Sequence, residues 1–130
     1  MVLIDTNVII RFIIKEPKEQ FEVAKELFEE VAKEKLKVGI DECVVLESYY
    51  VLHKVYGIEK DEVLDILQKI LLLKNVVHER KFLLLEALQI MKKRRIDFVD
   101  ALLCAKSKLF GISVVSFDKD LEKCKDEDGI

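Results

Sequence analysis

Four acidic residues stand out for the company they keep. Asp5 ends the apolar run Val2–Ile4 and is followed at once by Thr6 and Asn7. Glu47 sits in residues 43–52, where Ser48 is the other polar side chain and the rest are apolar or aromatic. Asp100 is the sole acid of Phe98-Val99-Asp100-Ala101-Leu102-Leu103, and Asp118 comes shortly after the stretch Ile112-Ser113-Val114-Val115-Ser116. An ionised carboxylate among apolar neighbours is costly unless it is paired or binds a cation. Carboxylates brought together repel one another and shift their pKa values upward, a penalty that a divalent cation removes. An all-oxygen donor set suits Mg2+ or Mn2+ rather than zinc, which recruits His or Cys. His53 and His78 show no ligand spacing.

Each acid also has an ordinary explanation. Asp5 can cap a helix beginning near Asn7 by accepting an orphan backbone N–H. Asp97 and Asp100 fit an N-cap with an acid three residues later, a variant of the capping box. Asp118 can cap a short helix from Lys119. Glu47 is the least easily explained, because its helical neighbours Val44 and Val51 are apolar; the plain alternatives are solvent at the helix edge or a remote Arg.

These residues need elements to hold them. Residues 2–4 read as a short buried strand, and 37–40, 75–78 and 112–116 as three further strands. Apolar spacing of three and four residues predicts helices over 8–14, 18–35, 42–56, 60–73, 80–93 and from Asp97 to about Phe110. Pro17 stops the first helix, and Gly57 and Gly111 close later ones. On the helix over 42–56, Val45, Tyr49, Leu52 and Tyr56 share one face, so the tyrosines are expected in the core or at a dimer face. Strands separated by helices imply parallel crossovers, hence an α/β fold: a three-layer α/β/α sandwich with a short central parallel sheet. Ligands of such open sheets bind beyond the carboxyl ends of the strands, where Asp5 and Asp118 would lie.

With 130 residues the chain has the size of a single domain, and about residues 125–130 read as a polar tail. Net charge is −3, from 22 basic and 25 acidic residues closely interspersed, which excludes a protein coated in positive charge but not a local basic patch. No apolar run approaches the ~20 residues that span a bilayer, and the N-terminus lacks a basic region before its apolar stretch. Cys43, Cys104 and Cys124 are odd in number and widely spaced, so they read as reduced thiols of a cytoplasmic protein.

The segments VLIDTNVII, VVLESYYVL and DFVDALLCAKSKLFGISVVSFDKDL, in this order and spacing, resemble the PIN-domain family of metal-dependent ribonucleases. The resemblance covers essentially the whole chain, and the size and pattern look most like VapC-type toxins of toxin–antitoxin pairs. It implies hydrolysis of RNA phosphodiester bonds with one or two Mg2+ or Mn2+ ions held by Asp5, Glu47, Asp100 and Asp118. Thr6 and Asn7 match the hydroxyl and amide that support the first acid, and Ser116 matches the small hydroxyl residue before the last. Asp97 and Asp120 are accessory acids that could reach a second metal. A homodimer and a small antitoxin partner are further implications.

An acidic site needs basic residues to hold RNA phosphates. Lys92, Lys93, Arg94 and Arg95 directly precede Asp97 and are the first candidates; Arg11 and Lys15, one helical turn apart, are the next. The basic run is equally suited to a solvated helix end favoured by the macrodipole. Two alternatives stand beside the nuclease: a non-catalytic PIN-fold module that binds RNA or protein, and a phosphatase of the haloacid-dehalogenase type. The latter requires an acid two residues after the first Asp, where this chain has Asn7.

Overall fold

A computed structural model describes residues 1–119 and 121. The chain divides into two compact units, Met1–Glu79 and Arg80–Ile130.

The first unit alternates strand and helix: β1 (Val2–Ile4), α1 (Thr6–Ile14), α2 (Lys18–Ala32), β2 (Val38–Ile40), α3 (Glu42–Tyr50), α4 (Lys60–Leu72) and β3 (Val76–Val77). The strands form one parallel sheet in the order β1-β2-β3, the α/β arrangement expected from the crossovers. Register is set by Val2 opposite Val38 and Ile4 opposite Ile40, then Val38 opposite Val76. Asn75, buried at the foot of β3, donates its side-chain N–H to the Leu36 carbonyl at 3.1 Å and so ties the approaches to β2 and β3 together. The core is built from Ile4, Ile40, Val38 and the inner faces of the helices, notably Ile9, Ile10, Leu64 and Leu67. Burying such side chains contributes roughly 1.5–3 kcal/mol each and is what holds such short strands in place.

Helix α1 ends where Lys15 turns left-handed (φ 67), two residues before Pro17, which opens α2. Helix α3 does not continue regularly to Gly57. Over Val51–Val55 it widens to π geometry, and the Tyr56 N–H bonds the Val51 carbonyl five residues back at 3.1 Å. A π turn inserts an extra residue and rotates the residues beyond it off the original face. Val45, Tyr49 and Leu52 are therefore buried as their spacing predicts, whereas Tyr56 is 41% exposed. Of the two histidines, His53 places Nδ1 at 2.8 Å from the Ile58 carbonyl and stacks on Tyr49, an ordinary edge-of-core role.

The second unit contains α5 (Lys81–Lys93) and α6 (Phe98–Phe110), which pack against each other. Leu84, Leu88 and Met91 of α5 and Phe98, Ala101 and Ala105 of α6 are buried. At the other end of the pair, Lys108 Nζ meets Glu86 Oε1 at 2.8 Å, and Phe82 and Phe110 lie edge to face. Gly111 closes α6 in the left-handed region (φ 66), its N–H on the Ser107 carbonyl at 3.0 Å.

Two expectations fail here. Residues 112–116 form no strand: the segment has no regular secondary structure and is largely exposed, with Val115 94% accessible. β-Branched composition marks a residue that suits a pleated, packed surface, and without a ladder partner it does not make a strand. The cysteines are not all reduced thiols either. Cys104 is disulfide-bonded, Cys43 is free and exposed, and Cys124 lies outside the described residues, as do residues 125–130. Sequence spacing carries no information about which thiols a fold brings within bonding reach. No helix among the described residues is long and apolar enough to cross a membrane.

A Cβ on Gly111 would meet no atom within 4 Å, so Gly111→Ala tests φ alone and should cost about 1 kcal/mol in urea denaturation. Ser48, fully buried on α3 with its hydroxyl unpartnered, gives the opposite expectation. Ser48→Ala should stabilise by about 1 kcal/mol in the same assay, because it removes a desolvated polar group.

Candidate active site

Parallel pairing of β1 and β2 puts their carboxyl ends on one edge, and each strand passes directly into a helix. Beyond the Ile4–Ile40 pair come Asp5 and Asp41. Asp5 is the N-cap of α1, its carboxylate accepting the Val8 N–H at 3.4 Å; Asp41 is the N-cap of α3 and accepts the Cys43 N–H at 2.9 Å. The Asp5 bond lies at the long end of the hydrogen-bond range, so capping engages that carboxylate weakly. The capping explanation and a ligand role are thus compatible in Asp5. Two helix N-termini at this edge also supply partial positive charge that favours anionic groups. Asp41 carries no motif signal in the sequence; only the register shows that it shares an edge with Asp5.

Around Asp5, Thr6 is buried as the first residue of α1, and Asn7 is exposed and lines a cleft with Val8 and Arg11. Glu47 differs from its sequence-based description. The buried face of α3 runs through Val45, Ser48, Tyr49 and Leu52, and Glu47 points away from it into solvent. The apolar sequence around Glu47 therefore imposes no desolvation cost on its charge, and that argument for a functional role falls away. An exposed carboxylate remains open to a cation.

In the second unit, Asp97 is the N-cap of α6 by position, but its side chain makes no capping bond. Asp100, in the first turn of α6, is half-buried. Asp118 is exposed and does not come after a strand; its backbone N–H donates to Ser116 Oγ at 2.9 Å, so Ser116 supports that acid as a local turn. Asp120 lies outside the described residues. Lys92 and Lys93 occupy the last turn of α5 and Arg94 caps it through its N–H to the Ile90 carbonyl, with Lys93 and Arg95 exposed.

Arg11 is held from two sides by neutral acceptors. Its Nε donates to Gln20 Oε1 at 2.9 Å and its Nη1 to the Tyr56 hydroxyl at 3.3 Å. Both partners are remote in sequence, and neither carries a motif signal. Lys15, the other basic candidate on α1, is exposed at the left-handed turn.

Among the described residues no three Asp, Glu, His or Cys side chains cluster closely enough to hold a metal ion. The first unit contributes Asp5 and Glu47, and the second Asp100 and Asp118. The donor chemistry available, carboxylate oxygens with hydroxyl and amide neighbours, fits a hard divalent cation and not zinc.

The family model for the PIN domain matches residues 2–127. The chain belongs to the PIN domain family. A VapC ribonuclease of Aquifex aeolicus (strain VF5) is 32% identical to this PIN domain over 124 residues, 95% of this chain and 91% of that protein. No solved structure matches this PIN domain significantly.

The dual position of Asp5 separates two properties by mutation. Asn caps a helix as well as Asp does, so Asp5→Asn should leave the thermal midpoint of this PIN domain within about 2 °C of wild type. Asp5→Ala removes the capping oxygen and should cost about 1 kcal/mol, the weak 3.4 Å bond arguing against a larger loss.

Proposed function

We propose that this PIN domain is an endoribonuclease dependent on Mg2+ or Mn2+, with Asp5, Glu47, Asp100 and Asp118 as its metal-holding acids. The observation that carries the proposal is the similarity to a VapC ribonuclease along 95% of the chain, in a PIN domain whose Asp5 stands exposed at the carboxyl edge of the parallel sheet. One or two cations, when bound, supply Lewis acidity and acidify a water molecule. Hydrolysis then adds water across the P–O3′ bond, leaving a 5′-phosphate on one product and a 3′-hydroxyl on the other.

The side chains contribute what the reaction requires of the protein. Asp5 is oriented by its bond to the start of α1, and Thr6, the first residue of that helix, is buried. Asn7 offers an exposed amide beside the first acid. Ser116 holds the backbone of Asp118, and Asp97 and Asp120 are accessory acids. Lys93 and Arg95 are open to solvent for RNA phosphates, with Lys92 and Arg94 adding positive charge beside them in sequence and Lys15 exposed at the end of α1. The same proposal includes the cellular setting: a cytoplasmic toxin that forms a homodimer and is restrained by a small antitoxin.

Cleavage of a labelled RNA in Mg2+ or Mn2+, with and without EDTA, tests the activity. Chelation should stop the reaction, and p-nitrophenyl phosphate should not be turned over. Loss of hydrogen-bonding partners behind metal ligands already costs about 10–100-fold, so Asp5→Asn or Glu47→Gln should lower the cleavage rate at least about a hundredfold. Equal rates in wild type and both variants would overturn the assignment.

A further inference from the structure

We infer that Arg11, Gln20 and Tyr56 form a nucleotide-binding subsite for single-stranded RNA, taking a phosphate on Arg11 and the adjoining base on the Tyr56 ring. The inference rests on the ribonuclease proposal for its biological sense, but its evidence is separate. It begins with how Arg11 is held. Both bonded partners, Gln20 Oε1 and the Tyr56 hydroxyl, are uncharged, and no carboxylate bonds the guanidinium among the described residues. Neutral acceptors fix the planar fork without a carboxylate bonded to it, although Glu16 and Glu19 line the clefts on either side. Orientation without a bonded carboxylate is what phosphate recognition demands, since Arg presents donors in a rigid geometry matched to phosphate oxygens.

The surrounding space fits that ligand. Two open clefts meet at Arg11, one of about 530 Å3 reaching Asn7 and one of about 480 Å3 lined by Arg11, Ile14, Glu16, Pro17 and Tyr56. Asn7 is two residues from Asp5, and Arg11 lies six residues along the same helix, about 9 Å at 1.5 Å per residue. The clefts therefore run from Asn7 along α1 to the tyrosine. Tyr56 reaches this place because the π turn of Val51–Val55 rotates it out of the buried face that its spacing predicts. Such π turns are frequent at functional sites. Its ring is partly exposed beside a cation, and an aromatic face next to a basic group is how unpaired bases are bound without sequence readout. A base in a duplex is already stacked on its neighbours, so the subsite selects single strands. Gln20 acts as a positioning residue; Glu16 in the same cleft opposes any phosphate there, so the Arg11 contact has to outweigh that repulsion.

Binding can be measured apart from catalysis in the full chain carrying Asp5→Asn. Fluorescence anisotropy with a short, labelled single-stranded RNA of mixed sequence reads affinity whether or not the wild type cleaves RNA. Arg11→Gln should weaken binding about tenfold and reduce the log–log salt slope by about 0.7, the single-strand value for one phosphate contact. Tyr56→Leu should weaken it about tenfold through lost stacking, while Tyr56→Phe, which keeps the ring, should stay within about threefold. Unchanged affinity in folded Arg11→Gln or Tyr56→Leu overturns the subsite. Cross-linking an iodouridine-substituted RNA to the chain without changes at Arg11, Gln20 or Tyr56 does not depend on how those variants fold. A cross-link at Tyr56 supports the subsite, and a map that omits Tyr56 and its neighbours in the cleft overturns it. An acidic peptide that binds through Arg11 while RNA affinity ignores Arg11→Gln would assign the cleft to a protein partner and overturn the RNA assignment.

Discussion

Parallel pairing of β1 with β2 is the constraint on which the first unit depends. Parallel strands must both end on the same edge, and here both run without a spacer into helices. The edge consequently collects two capping aspartates and two helix N-termini. Acids concentrate there for a local reason, since each must satisfy orphan N–H groups. The long Asp5 bond leaves most of that carboxylate's bonding capacity for other use. Structural need and chemical opportunity coincide in one residue, which the proposed function uses for RNA hydrolysis.

Basic and aromatic groups obey a different logic. The chain is nearly balanced in charge, so RNA is not drawn by a uniformly positive surface. Phosphate recognition has to come from particular cations in particular settings. Arg11 is the best defined: its fork is held by Gln20 and the Tyr56 hydroxyl, with no carboxylate bonded to it among the described residues. The cations at the end of α5 are also partly explained by the helix dipole, which favours positive charge there whatever the protein binds. A regular α3 would have kept Tyr56 on the buried face, so the π turn contributes directly to the Arg11 setting.

Most elements were legible because their signals are local. Helix α2 shows its apolar spacing, α6 its Gly111 stop, and Val2–Ile4 its abrupt end at Asp5. Three features were misread because they depend on partners. Residues 112–116 have strand composition but no ladder, and Cys104 has a disulfide that spacing did not announce. Glu47 has apolar neighbours along the chain yet faces solvent, because sequence neighbours on a helix occupy different faces.

By itself the sequence determined the α/β alternation, the helix boundaries within a few residues and the membership of the PIN domain family, since periodicity, caps and motif order are written residue by residue. Tertiary structure alone decided that Asp41 shares an edge with Asp5, that Glu47 is exposed, and that Tyr56 meets Arg11. The first and last of these relations join residues 36 and 45 positions apart, and the second opposes two faces of one helix. They arise from strand register, from the face each helix buries and from one extra residue in a helical turn, none of which a linear pattern records.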